Sequence, residues 1–180
     1  QPWLADLLPE PAAATVAISS PVLSAMTYCV AMNLQDGLLF AADSRTNAGV
    51  DHVATFRKMQ PFERQGERLL VLLSAGNLAT TQSVLSLLRQ RAAHDPESHN
   101  IYTVRSLYDA ALLVGETLKQ VLQRDAGGQS QTSVDFGCSF ILGGQIAGEE
   151  PRLFNIYPQG NFIEATPETP YFQIGESKYH

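Results

Sequence analysis

The chain has 180 residues, 44% of them hydrophobic and 17% charged, and carries a formal charge of −6. This is globular rather than disordered composition, and the length suits one domain with a sizeable core. An acidic balance with no Lys/Arg-rich run excludes a nucleic-acid or anionic-membrane surface, and apolar stretches such as residues 68–73 are too short to span a bilayer.

Residues 1–26 contain Pro2, Pro9, Pro11 and Pro21, no basic start and no strand or helix periodicity. They read as a leader or tail without a secretory signal. Regular patterning starts at Thr27, so 27–180 is read as the folded domain. Residues 27–33 are rich in strand formers, Asp36-Gly37 supplies a turn, and residues 38–43 return as a second strand. Residues 46–49 carry another turn signal, and 53–61 read as a third strand that includes Lys58. Gln65-Gly66 then turns the chain into 68–74, an almost continuous apolar run that suits a strand buried on both faces.

Gly76 breaks this pattern, and Asn77 is placed to cap a helix over 78–93. A second helix, capped by Thr103 and running to Arg124, puts Leu107, Ala110, Ala111, Val114, Leu118, Val121 and Leu122 on one face. Ala126-Gly127-Gly128 is its stop signal. Phe136, Cys138, Phe140 and Leu142 alternate as a strand, which Gly143-Gly144 is expected to interrupt. Residues 152–157 and 161–165 form a hairpin, and another strand begins at Tyr171. Consecutive hairpins followed by two adjacent helices call for antiparallel sheets packed on each other, with helices outside.

Several apparent signatures fail on context. Asp135-Phe136-Gly137 spells a kinase tripeptide but lacks the accompanying kinase motifs, and it reads as a strand entry. Residues 143–148 open no helix and so are not a dinucleotide fingerprint. His52, His94, His99 and His180 are scattered, which gives a metal site no support. Cys29 and Cys138 have no CxxC or nearby histidine and read as core residues of a protein in a reducing cytoplasm.

The informative segment runs from Met26 to Gly76. Thr27 opens the first strand, Asp43 ends the second, Lys58 falls on the third, and Gly76 sits at a strand-to-helix junction. A twisted antiparallel sheet brings the ends of neighbouring strands together, so Thr27, Asp43 and Lys58 can meet. A threonine hydroxyl needs a base, and a free α-amine on Thr27 titrates near ~8 and supplies one. A lysine beside the hydroxyl favours the alkoxide, Asp43 fixes that lysine, and backbone N–H groups near Gly76 can hold an oxyanion. Taken singly, these residues are also ordinary strand, turn and helix-entry residues.

Residues 26–32 (Met-Thr-Tyr-Cys-Val-Ala-Met), 41–51 (Ala-Ala-Asp-Ser-Arg-Thr-Asn-Ala-Gly-Val-Asp) and 56–59 (Phe-Arg-Lys-Met) resemble the bacterial, proteasome-related Anbu family, the "ancestral β subunit" of the N-terminal-nucleophile hydrolases. Residues 155–164 and 172–179 resemble its later strands. The resemblance implies an α+β fold, an αββα four-layer sandwich, with Thr27 as nucleophile, Asp43 and Lys58 as its activating pair, and Gly76 as oxyanion donor. It implies structural support from Arg45 and places Ser177 near the serine that assists the terminal amine, with Glu176 in the more direct position. Chains of this family continue past residues 175–179, so it also implies a C-terminally incomplete chain. A free Thr27 amine requires that residues 1–26 be absent or removed. Met26 as the true initiator accounts for this more simply than self-cleavage at Met26–Thr27.

The implied activity is that of a threonine peptidase or amidohydrolase acting on peptides. It needs neither metal nor organic cofactor and belongs to a cytoplasmic homo-oligomer. The alternative is a catalytically silent subunit with an assembly or scaffold role, distinguished by the absence of hydrolysis and covalent labelling.

Overall fold

A computed structural model describes residues 28–43, 46–47, 53–54, 56–126 and 135–175. The expected leader 1–26 and the helix stop at Gly127-Gly128 lie outside them. Strand β1 (Cys29–Leu34) turns at Gln35-Asp36 into β2 (Gly37–Ala42), and Leu34 pairs with Gly37. Gly37, with φ 141°, therefore opens the second strand rather than filling the loop. Strands β3 (Thr46–Asn47) and β4 (Val53–Ala54) pair with each other. Strands β5 (Met59–Arg64) and β6 (Arg68–Gly76) form the next hairpin.

The single strand expected over 53–61 is thus two. β4 belongs to β3 and β5 to β6, and the chain changes sheets between them. Lys58 falls in that crossover, immediately before β5, and not on a strand.

Helix α1 (Leu78–His94) begins as the sequence indicates, with the Asn77 Oδ1 accepting the Thr80 N–H at 3.0 Å. Helix α2 (Leu107–Ala126) does not use Thr103 as its cap. The Thr103 hydroxyl is consumed by a tight turn, accepting from the Asn100 N–H at 2.9 Å and donating to the Ser98 carbonyl at 2.5 Å. Ser106 takes over, its Oγ accepting the Asp109 N–H at 3.0 Å.

Strands β7 (Cys138–Ile146), β8 (Arg152–Ile156), β9 (Phe162–Glu164) and β10 (Tyr171–Ile174) complete the described residues. Contrary to expectation, β7 passes through Gly143-Gly144 without a break, and the turn comes at Ala147-Gly148. These glycines permit close approach. A Cβ on Gly144 would lie 2.3 Å from the Leu69 carbonyl oxygen, and one on Gly143 would lie 2.7 Å from the Phe40 ring.

All named strand pairs are antiparallel, in a three-stranded sheet β10-β1-β2, a five-stranded sheet β5-β6-β7-β8-β9 and the short β3-β4 pair. The alternation along β6 decides the layering. Leu70 and Leu72 pack with Val84, Leu88, Leu107 and Leu118 against the helices. Val71 and Leu73 pack with Cys29, Ala31 and Phe172 against the three-stranded sheet. Each such fully buried Leu, Val or Phe contributes about 1.5–3 kcal/mol of transfer free energy. Helix pair, five-stranded sheet and three-stranded sheet stack in that order. The fold is the α+β sandwich of αββα type, with three of its layers among the described residues. No described helix is long and apolar enough to cross a membrane.

Candidate active site

The start of β1, the end of β2, the entry to β5 and the end of β6 meet at one corner of the sandwich. Lys58 donates from Nζ to both Asp43 carboxylate oxygens, at 2.7 and 2.6 Å. The lysine side chain is only 4% exposed while the aspartate keeps 30%, so the ammonium is desolvated behind a carboxylate that faces outward. Burying an ammonium is costly unless a paired carboxylate offsets the lost hydration.

Backbone bonds lock the pair from both sides. The Asp43 N–H donates to the Tyr28 carbonyl, and the Tyr28 N–H donates back to Asp43 Oδ1, both at 3.0 Å. On the other side, the Ser74 N–H donates to the Lys58 carbonyl at 3.1 Å, and the Cys29 thiol donates to the Ser74 carbonyl at 3.4 Å. The two sheets are therefore tied together at the ion pair itself. Tyr28, which follows Thr27 in sequence, is held by the same carboxylate that holds Lys58.

Gly76 closes the corner. In an antiparallel ladder, bonded and non-bonded residue pairs alternate. The Asn77 N–H bonds the Gly137 carbonyl at 2.9 Å, so the preceding pair, Gly76 and Cys138, is non-bonded. The Gly76 N–H consequently points away from β7, towards the β5 side. The β5–β6 ladder ends there with the Ser74–Lys58 bond, two residues earlier on β6. A small open cleft there is lined by residues 74–76 with Phe56, Lys58, Leu78 and Thr81. Gly76 has φ 111°, a conformation that a side chain disfavours.

Of the six residues singled out from the sequence, Asp43, Lys58 and Gly76 are brought together here. Thr27, Arg45 and Ser177 lie outside the described residues. Sequence reasoning missed the Tyr28 N–H, because a backbone donor carries no residue signature. It also read Asp135-Phe136-Gly137 only as a strand entry. The Asp-x-Gly spacing was the available signal for the Asx turn found there, in which the Gly137 N–H donates to Asp135 Oδ1 at 2.8 Å.

Both cysteines are buried and free. Burial, and after it the Asp43 carboxylate, pushes the Cys29 thiol up to about 11, and burial pushes Cys138 up to about 12. Neither is a thiolate at neutral pH. A maleimide at pH 7.5 should therefore modify neither thiol in the folded protein and both in urea, as read by intact mass. The sign for stability follows: an unfolded thiol loses its proton near 9 while the folded one keeps it, so the fold weakens as pH rises from 9 towards 11.

The proteasome subunit family model matches residues 25–180. Among solved structures the chain is similar to "Anbu (ancestral beta-subunit) from Yersinia bercovieri", at 64% identity and TM-score 0.76. It is likewise similar to Anbu of Pseudomonas aeruginosa, described as a helical assembly, at 58% identity and TM-score 0.77, and to Anbu of Hyphomicrobium sp. strain MC1, at 52% and 0.72. Each comparison covers 85% of this chain and 62% of the relative. No curated protein matches. With the family model spanning nearly the whole folded region, this chain belongs to the proteasome subunit family and, within it, to the Anbu group of bacterial proteins.

Proposed function

We propose that the protein is a threonine-type peptidase or amidohydrolase that transfers the acyl group of a peptide to Thr27. The observation that carries this reading is the Asp43–Lys58 pair, locked to the backbone of Tyr28, the residue that follows Thr27. The α-amine of Thr27, once free, takes the proton from its own hydroxyl as Oγ attacks the scissile carbonyl carbon. The Lys58 ammonium lowers the cost of the developing alkoxide, and Asp43 holds that ammonium in place. The Gly76 N–H accommodates the oxyanion of the tetrahedral intermediate. The C–N bond breaks, the leaving amine departs with the proton, and water attacks the Thr27 ester to release the acid and restore the hydroxyl. Arg45 and Ser177 are assigned support of the site and of the amine respectively.

Peptides are the proposed substrates, adding as an extended strand along residues 46–49. β3 pairs with β4 along one edge, and a strand has two edges. The proposed setting is a homo-oligomer in the cytoplasm. The solved Pseudomonas aeruginosa relative is a helical assembly, which supports self-association, and two free buried thiols suit a reducing compartment.

Hydrolysis of a panel of fluorogenic peptides by the protein expressed from its own gene tests the proposal. Turnover is expected for at least one peptide, with a loss of at least ~1000-fold in Thr27→Ala. Turnover that survives in Thr27→Ala assigns the chemistry elsewhere. Absence of turnover together with absence of labelling by acylating electrophiles supports the silent subunit instead.

A further inference from the structure

The first turn of α1 does more than begin a helix. It takes all three carbonyl oxygens of residues 135–137, the segment that leads into β7. The Asn77 Nδ2 donates to the Asp135 carbonyl at 3.0 Å, the Thr80 Oγ1 to the Phe136 carbonyl at 2.9 Å, and the Asn77 N–H to the Gly137 carbonyl at 2.9 Å. The segment is also braced from within by the bond from the Gly137 N–H to Asp135 Oδ1, at 2.8 Å. Thr80 is fully buried, so its hydroxyl bond is shielded from competition with water.

Gly76 is pressed against this strap. A Cβ placed on it would lie 2.6 Å from the Gly137 carbonyl oxygen and 2.8 Å from the Cys138 Cα, so the two backbones are in contact with no slack. Gly76 is followed directly by Asn77 and has the positive φ of 111°. The Gly76 N–H lies on the Ala75–Gly76 peptide, one φ and one ψ away from the Asn77 N–H, so holding Asn77 by the strap while the Gly76 Cα is pressed against residues 137–138 restricts its direction. Helix capping alone asks only for an acceptor on residue 77. The Nδ2 donor and its carbonyl partner 58 residues away are additional to that need.

We propose that Asn77, together with the 135–137 strap, is a positioning clamp that aims the Gly76 N–H into the cleft. Asn77 touches no substrate. It acts through Gly76, and the inference rests on the peptidase reading of Gly76 as oxyanion donor. Because that donor is needed most when the tetrahedral oxyanion exists, loosening the clamp lowers kcat and leaves ground-state binding nearly unchanged.

The test is Asn77→Asp in the full chain. Aspartate caps a helix as well as asparagine does, but it offers Asp135 a carboxylate oxygen in place of an N–H. The expected result is a fall in kcat of about 10–100-fold, with KM changed less than about threefold. A peptide boronate, which forms a tetrahedral adduct, should lose affinity by a similar factor, while Tm moves little. Asn77→Ser, which also caps and also lacks the second donor, should reproduce the effect and guards against a fault peculiar to the new charge. If both variants keep wild-type kcat and boronate affinity, or if KM rises while kcat holds, the clamp is overturned and the peptidase reading stands. If the wild-type protein itself neither hydrolyses peptides nor binds the boronate, the peptidase reading fails and the clamp falls with it.

Discussion

Asp43→Asn is expected to remove hydrolysis and to destabilise the fold at the same time. The substitution keeps the shape but takes away the charge that accepts two bonds from Lys58 at 2.6 and 2.7 Å. It leaves an ammonium with 4% exposure facing a neutral amide. Breaking a fully buried pair costs about 3–5 kcal/mol, and the 30% exposure of Asp43 brings the figure here to about 2 kcal/mol. For a chain of this size that lowers Tm by about 4–8 °C. The same change weakens the bonds by which Asp43 aims Lys58, so turnover should fall by more than ~100-fold. A companion variant separates the two effects. Adding Lys58→Met to Asp43→Asn removes the stranded charge and should return most of the lost Tm without returning any activity. Thermal unfolding and peptide turnover, measured on both variants, decide this. Recovery of activity in the double variant would show that the pair is structural only.

Gly76→Ala carries the second large effect. Its φ of 111° alone costs a non-glycine residue about 1–2 kcal/mol. Gly66→Ala, at φ 74° with nothing within 4 Å of the added Cβ, pays that cost and nothing more. At Gly76 the new methyl meets the Gly137 carbonyl oxygen at 2.6 Å, and backbone must move. Gly66→Ala should therefore lose about 1 kcal/mol with unchanged turnover. Gly76→Ala should lose visibly more stability and at least ~100-fold in kcat as its N–H swings away from the cleft. Equal unfolding midpoints for the two variants would contradict the packing of Gly76 against residues 137–138.

How much of this could be read from the sequence depends on what carried the signal. The apolar run ending at Ser74 gave β6, because a strand buried on both faces has no other composition. Asn77 marked the start of α1 by its capping chemistry, and the apolar face of α2 emerged as residues 107, 110, 111, 114, 118 and 121, all fully buried. The failures share a different cause. Thr103 and Ser106 offer the same hydroxyl, and only the Asn100 turn decides which one is spent elsewhere. Gly143-Gly144 look like a break in isolation, but the neighbouring backbone of Leu69 and the ring of Phe40 demand them inside a strand. Lys58 reads as a strand residue because nothing local announces that the chain changes sheets just before it.

The site was legible to the same degree. Strand ends and turn positions brought Asp43, Lys58 and Gly76 into one argument, since charged residues at the ends of adjacent strands have few other partners. The contacts that aim these groups are mostly backbone: the Tyr28 N–H on Asp43, the Ser74 N–H on Lys58, the Asn77 N–H on Gly137. Every residue but proline owns such a donor, so no residue type betrays it.

The proposed chemistry stands on Thr27 as the nucleophile and on its own amine as the base. The most direct measurement treats the protein, expressed from its own gene, with a peptide-linked β-lactone and maps the adduct by mass spectrometry together with the N-terminal residue. The expected product is a chain that begins at Thr27 and carries the acyl group there, with none on Cys29 or Cys138. An acyl group on any other residue, or labelling of a chain in which Thr27 is internal, would contradict it.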